Sequence, residues 1–185
     1  MTGTTSDPTM RERVRRSVVG RVPVDDDEAA SIERFLVEFD RLQDALDQDL
    51  DPIHVTGSAI VVGPRGVVLL RHKRLGLWLQ PGGHVDPGEA PWEAARREAN
   101  EETVLTVGFA QLDVDGIPSL VHVDVHAGGR GHTHLDLRYL LDGGDDDPAP
   151  PAGESQEIGW FEWPAAVERA SDDRLRALLA NLAPI

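Results

Sequence analysis

The chain has 185 residues, 33 acidic against 18 basic side chains, a formal net charge of −15 and no cysteine. Lacking cysteine, it can form no disulfide, thiolate metal site or cysteine nucleophile, and its charge argues against long nucleic-acid partners, whose phosphates need a basic surface. The length suits one domain with a sizeable core; no apolar run approaches membrane-spanning length and residues 1–16 lack a signal-peptide core, so a cytoplasmic protein with no membrane partner is expected.

The first fifty residues read as helical. Val14, Val18 and Val19 suggest a short helix. Asp25, Asp26 and Asp27 supply N-cap and first-turn negative charge for a second helix over residues 26–48, about 34 Å long at about 1.5 Å per residue. Its apolar positions Ile32, Phe35, Leu36, Phe39, Leu42 and Leu46 recur at helical spacing. Packing of that stripe on its own domain makes a monomer the default, and a homodimer through Phe35 and Phe39 the alternative. Asp49-Leu50-Asp51-Pro52 marks a boundary, dividing the chain into a helical extension, residues 1–52, and a second unit, residues 53–185. Beyond it, residues 56–62 and 67–70 are β-rich around Gly63-Pro64-Arg65-Gly66, which predicts a hairpin. Arg71, His72, Lys73 and Arg74 follow as a basic run, with Trp78 a core residue or a base-stacking platform.

Residues 83–105 read GHVDPGEAPWEAARREANEETVL, with Gly83, Glu89, Arg97-Glu98 and Glu101-Glu102 at fixed intervals. A chance match to such a pattern anywhere in the chain is on the order of 10⁻⁴. Pro91 suits the first position of a helix, and strong helix formers dominate thereafter. Glu101 and Glu102 then lie about 60° and 40° to either side of Glu98, while Trp92, Ala95 and Ala99 form a neighbouring stripe that can pack inward. Three clustered anions repel, and a hard divalent cation with oxygen ligands removes that cost. Arg97 lies between Glu93 and Glu101, placed to hold a carboxylate in position.

After this helix, residues 105–114, 120–126, 134–141 and 158–163 are candidate strands. Ser171 is the candidate cap of a last helix striped by Leu175, Leu178, Leu179 and Leu182. Strand alternation puts His134, Asp136 and Arg138 on one face. If that face opens onto a cleft, His134 and Arg138 contact phosphate or base; if not, it is a paired solvent-facing strand. His132 and His134 look like a metal-binding pair, but no third ligand stands at a convincing spacing, so a zinc site is not expected.

The pattern from Gly83 to Glu102, preceded by Gln80-Pro81-Gly82, resembles the signature of the Nudix hydrolase family. The resemblance implies an αβα sandwich with a mixed β-sheet, an α/β (α+β) fold, here with an N-terminal helical extension. It implies metal-dependent hydrolysis of the phosphoanhydride in a nucleoside diphosphate linked to another group, a small phosphorylated substrate; the alternative is a domain that senses a nucleotide without cleaving it. Glu98, Glu101 and Glu102 match the family's metal-binding glutamates, Gly83 its glycine with a carbonyl near the metal, and Mg²⁺ or Mn²⁺ is the implied cofactor. Glu89 and Arg97 brace the loop and helix. For the general base, Glu98 and Glu101 are candidates within the box, and Glu154 and Glu157 in the loop before Trp160, with Glu154 preferred. Arg71 and Lys73, with His134 and Arg138, are the substrate-binding candidates. One position departs from the family pattern: Val104 stands where a glycine is usual. A β-branched residue at positive φ costs on the order of 1 kcal/mol or more, so a differently bent helix exit is expected.

Overall fold

The computed structural model describes residues 8–113 and 115–184. Two helices lead, α1 (Pro8–Val19) and α2 (Asp26–Arg41), followed by strands β1 (Ile53–Gly63), β2 (Gly66–Arg71), β3 (Trp78–Leu79) and β4 (Gly82–His84). The box helix α3 (Pro91–Thr103) comes next, then β5 (Gly108–Phe109), β6 (Leu120–Ala127), a 3₁₀ turn (Gly129–Gly131), β7 (Thr133–Asp142), β8 (Ile158–Phe161), α4 (Trp163–Arg169) and α5 (Asp173–Leu182).

The strands form one eight-stranded mixed sheet. At its centre β1 runs parallel to β7, from Ile53 opposite Thr133 to Val62 opposite Asp142, and the other pairings are antiparallel. On its other edge β1 meets β4 near its start (Thr56 opposite His84) and β2 at its end, so the box segment is stitched to the central strand before α3 begins.

Side-chain alternation sends the two faces of the sheet into different cores. Leu135, Leu137, Tyr139 and Leu141 of β7, with Val61 and Val68, pack against Val14, Val18, Phe35, Phe39 and the Trp92, Ala95 and Ala99 stripe of α3. Ile60, Val67 and Leu69 face Ala166, Leu175, Leu178 and Leu179 of α4 and α5. The result is the expected αβα sandwich with α1, α2 and α3 on one face and α4 and α5 on the other. Gly57 lets α3 lie close on β1: a Cβ there would come within 2.1 Å of the Pro91 carbonyl oxygen.

Several local expectations are corrected. Helix α2 ends at Arg41, about 24 Å from its start at about 1.5 Å per residue, rather than at residue 48. Leu42 and Leu46 are still buried, but from a looped segment in which Val55 N–H bonds the Ala45 carbonyl. Phe35 and Phe39 are fully buried on the chain's own core and stack at 5.2 Å. The candidate strand over 105–114 shrinks to Gly108–Phe109, with Val114 outside the described residues. Trp163 begins α4 rather than ending β8. Asp172, not Ser171, caps α5, accepting from the Arg174 and Leu175 amides, because Ser171 is engaged with Trp78 N–H through its Oγ.

Val104 does adopt the left-handed conformation, at φ 62° and ψ 10°, contrary to the expected change of bend. The turn is fixed from both sides. Val104 N–H bonds the Asn100 carbonyl, Leu105 N–H bonds Thr103 Oγ1, and Leu105 and Val107 are buried immediately beyond. The valine side chain itself faces solvent.

Candidate active site

Helix α3 carries its charges on one side. Pro91 opens it, and Glu93 closes a turn back onto the Ala90 amide at 3.0 Å, so Glu93 serves as a cap and not as a partner of Arg97. Arg97 instead reaches the loop before the helix. It binds Glu89 in bidentate fashion, Nε to Oε1 and Nη2 to Oε2 at 3.0 Å each, and its Nη2 also donates to the His84 carbonyl at 2.9 Å. Its Nη1 donates to Glu98 at 2.8 Å and Glu101 at 3.3 Å. Glu89 in turn accepts from the Asp86 amide. One guanidinium therefore ties strand end, loop and two box carboxylates together, and these contacts, the one to Glu89 above all, hold its own proton more tightly than usual.

Glu98 packs on the backbone of Gly83: a Cβ at Gly83 would lie 2.3 Å from its Oε1. Glu102 accepts from the neighbouring Gly82 amide at 3.1 Å. Burial raises the proton affinity of both. For Glu98 the nearby Arg97 opposes the rise, while Glu101 and Glu89 add to it. For Glu102 burial dominates, opposed by the Gly82 N–H and reinforced by Glu98 and Glu154, pushing its pKa up to about 8. Glu101 is the most exposed of the three, and their carboxylates do not converge on one point: Glu98 and Glu101 lean on Arg97 and Glu102 on Gly82.

Beside Glu102 opens a cleft of about 270 Å³ lined by Leu70, His72, Lys73, Glu154 and Ser155, among others. Glu154 and Lys73 face each other across it at 4.0 Å. Glu157, the other loop acid, is held by Arg71 at 2.9 Å, which occupies both side chains outside the cleft lining. Trp78 meets Phe161 edge-on at 5.4 Å with Arg169 over its ring.

Arg138 lies in neither of the settings read from strand alternation. It is 2% exposed, sandwiched between β6 and α5, and bound to Asp124 at 2.9 Å and Asp136 at 3.2 Å. Arg174 adds a second cation on Asp124 at 2.8 Å, and Thr56 and Ser58 donate to Asp136. The sequence pattern showed the charged face of β7 but not the α5 segment that covers it. A substrate phosphate cannot reach this guanidinium without opening the sandwich.

His134 sits elsewhere, at the start of β7, with His54 directly opposite it on β1. Two further histidines stand beside the pair: His54, His84, His132 and His134 each place one ring nitrogen within 4.8 Å of the others'. Sequence reading missed His54 and His84 because they lie far from the pair in the chain, and only β1–β4 and β1–β7 pairing brings them in. Burial, with the neighbouring imidazoles His126, His84 and His54, pushes the His134 pKa down to about 4, and burial lowers that of His84.

A family model described as "NUDIX domain" matches residues 52–182 of the chain. The chain belongs to the Nudix family. Among curated relatives it is 34% identical over 101 residues to the RNA pyrophosphohydrolase of Brucella anthropi, covering 50% of this chain and 58% of that protein. It is 35% identical over 96 residues to the RNA pyrophosphohydrolase of Brucella ovis, 47% of this chain and 54% of that one. The chain thus spans little more than half the length of these relatives. Among solved structures, a NUDIX-family hydrolase from Clostridium perfringens superposes with a TM-score of 0.60 at 25% identity, over 70% of this chain and 97% of that chain. The Ap4A hydrolase of C. elegans shares the fold, with a TM-score of 0.53 at 21% identity over 68% of this chain and 93% of that one.

Proposed function

We propose that the chain hydrolyses a phosphoanhydride bond in a small nucleoside diphosphate derivative at the cleft between α3 and the loop before β8, residues 53–185 forming the hydrolase domain and residues 1–52 a helical extension. The observation that carries this reading is the seat of Glu98 on Gly83, with Glu102 beside it on Gly82: two partly buried carboxylates held against a strand backbone, next to a cleft with a lysine and a further glutamate. An all-oxygen donor set of this kind fits Mg²⁺ or Mn²⁺. Glu98, Glu101, Glu102 and the Gly83 carbonyl would hold it once the three carboxylates, which lean on Arg97 and on Gly82, turn towards one point. The cation's contribution, when bound, is to neutralise the phosphate oxygens.

The protein's own groups do the rest. Lys73 pairs with a diphosphate oxygen at the mouth of the cleft. Glu154 takes the proton from the attacking water as the new P–O bond forms and the anhydride P–O bond breaks, while Glu157 is withdrawn by Arg71. Arg97 and Glu89 position Glu98 and Glu101. Arg138, buried between carboxylates, drops out as a direct substrate ligand, whereas Arg71 is exposed and its surface pairing with Glu157 leaves it available. The net charge of −15 favours a small substrate over long RNA, although the Brucella relatives are named for RNA. Because Phe35 and Phe39 are used on its own core, a monomer is expected.

The test is a panel of nucleoside triphosphates, nucleotide sugars, dinucleoside polyphosphates and a 5′-triphosphorylated oligoribonucleotide, incubated with Mg²⁺ or Mn²⁺ and read by product mass. Turnover of a small member supports the reading. Exclusive turnover of the oligonucleotide would overturn the small-substrate assignment, and binding without turnover would favour a nucleotide sensor.

A further inference from the structure

Beyond the Nudix chemistry, we propose that His54, His84, His132 and His134 form a second metal centre, a closed four-nitrogen site for a transition-metal ion of the zinc type. The four residues come from the start of β1, the end of β4, the end of the 3₁₀ turn and the start of β7. Their ring centroids lie 5.1 Å (His54–His84), 5.1 Å (His54–His132) and 5.3 Å (His54–His134 and His84–His134) apart. One ring nitrogen from each falls within 4.8 Å of the other three. If all six separations stood at that limit, the centre of the tetrahedron would lie about 2.9 Å from each nitrogen. Zn–N bonds are about 2.0–2.1 Å, so each ring has to move inward by less than about 1 Å.

The hydrogen bonding points the same way. His54 is fully buried, and its Nδ1 faces the Asp51 carbonyl at 3.1 Å, an acceptor that requires the proton on Nδ1. That fixes the tautomer and leaves a lone pair on Nε2, which is buried without a hydrogen-bond partner among the described residues. A backbone carbonyl orienting one imidazole nitrogen while the other binds the ion is how histidine ligands are commonly held. His84 Nε2 is likewise buried and unpartnered. Orphaned buried acceptors cost about 1–3 kcal/mol each, and a shared cation removes that cost for His54 and His84.

The donor set selects the ion. Four neutral imidazoles with no carboxylate among them suit Zn²⁺, Co²⁺, Ni²⁺ or Cu²⁺ and are poor ligands for Mg²⁺, which keeps to oxygen. With four protein ligands no position is open for a substrate, so the role is structural. The site would clamp the starts of the two central strands to the end of β4. His84 is also the residue after Gly83, and its carbonyl receives Arg97, so the clamp fixes the edge on which Glu98 rests.

The experiment uses the purified full chain, stripped of metal and titrated with Co²⁺ and Zn²⁺. Bound ion is read by elemental analysis after gel filtration and by the visible absorption of tetrahedral Co²⁺. Wild type and Glu101→Gln/Glu102→Gln should each retain one equivalent with the tetrahedral spectrum, displaced by Zn²⁺, and Zn²⁺ should raise the melting temperature. His132→Ala, in a partly exposed turn, and separately His84→Asn should weaken binding by at least about 100-fold, since loss even of an outer partner of a ligand costs 10- to 100-fold. Circular dichroism establishes that each variant is folded. No retained ion in the wild type, or retention unchanged in both histidine variants and lost in the glutamate variant, would overturn the proposal. Because this readout is metal content and not turnover, its failure is separable from failure of the hydrolase reading.

Discussion

Gly83→Ala tests the site geometry most sharply. The added methyl would stand 2.3 Å from Glu98 Oε1 and 2.4 Å from its Cδ. Ordinary contact needs about 3.4 Å or more, so the carboxylate must retreat by about 1 Å. The obstacle is the end of a flexible side chain, and Gly83 is not in the left-handed region, so the fold can accept the methyl by moving Glu98. Stability should change by less than about 1 kcal/mol. Activity should not be spared, because a 1 Å misplacement of a positioned group costs on the order of 100-fold. The assay is kcat/KM on whichever panel substrate is turned over, beside a thermal melt of the same preparation. A variant that keeps its melting temperature and loses about 100-fold in kcat/KM fits the argument. Full activity would refute it, and so would a loss explained by unfolding.

Val104→Gly should stabilise the protein by about 0.5–1 kcal/mol: it relieves a left-handed β-branched residue whose side chain packs on little, less the greater unfolded-state freedom of glycine. Denaturant melts decide it, and a lower midpoint would refute it. Buried His122, with no hydrogen-bond partner for either ring nitrogen among the described residues, has its pKa lowered to about 4 by burial and by Arg138. Its folded pKa lies below the unfolded value of about 6.5, so its contribution is present above that pH and is lost as pH falls towards 4, to at most about 3 kcal/mol. His122→Leu should flatten the decline in melting temperature between pH 7 and pH 4, and an unchanged decline would contradict the assignment. Since Glu102 holds its proton up to about pH 8 when no cation is bound, apparent Mg²⁺ affinity should fall as pH drops below about 8, by up to tenfold per unit. Titrations at pH 6.5 and 8.5 that give equal affinities would argue against Glu102 as a ligand.

What was legible in the sequence was local. The inward stripe of α3 and the alternation of β7 are periodic signals within one element, and the fold displays both; the glutamate spacing places Glu98 and Glu102 against the β4 glycines, while Glu101 turns to Arg97. What escaped depends on partners distant in the chain. Arg138 reads as a substrate cation until Asp124 and Asp172, from β6 and the cap of α5, close over it. His54 and His84 carry no mutual spacing that marks them, because strand pairing alone makes them neighbours. Residues 42–48 keep a helical apolar spacing yet bury Leu42 and Leu46 from a loop, tertiary contact overriding local periodicity. Val104 shows the converse: propensity argued against the left-handed turn, and burial of Leu105 and Val107 imposed it.

The most direct test of the central claim is Mg²⁺-dependent turnover in Glu102→Gln, which keeps the size of the side chain but removes its charge beside Gly82. The variant should fold, and its turnover at saturating substrate should fall by at least about 100-fold, a loss of about 3 kcal/mol in transition-state stabilisation. A folded Glu102→Gln protein that hydrolyses the same substrate at the wild-type rate, with the same Mg²⁺ requirement, would contradict it.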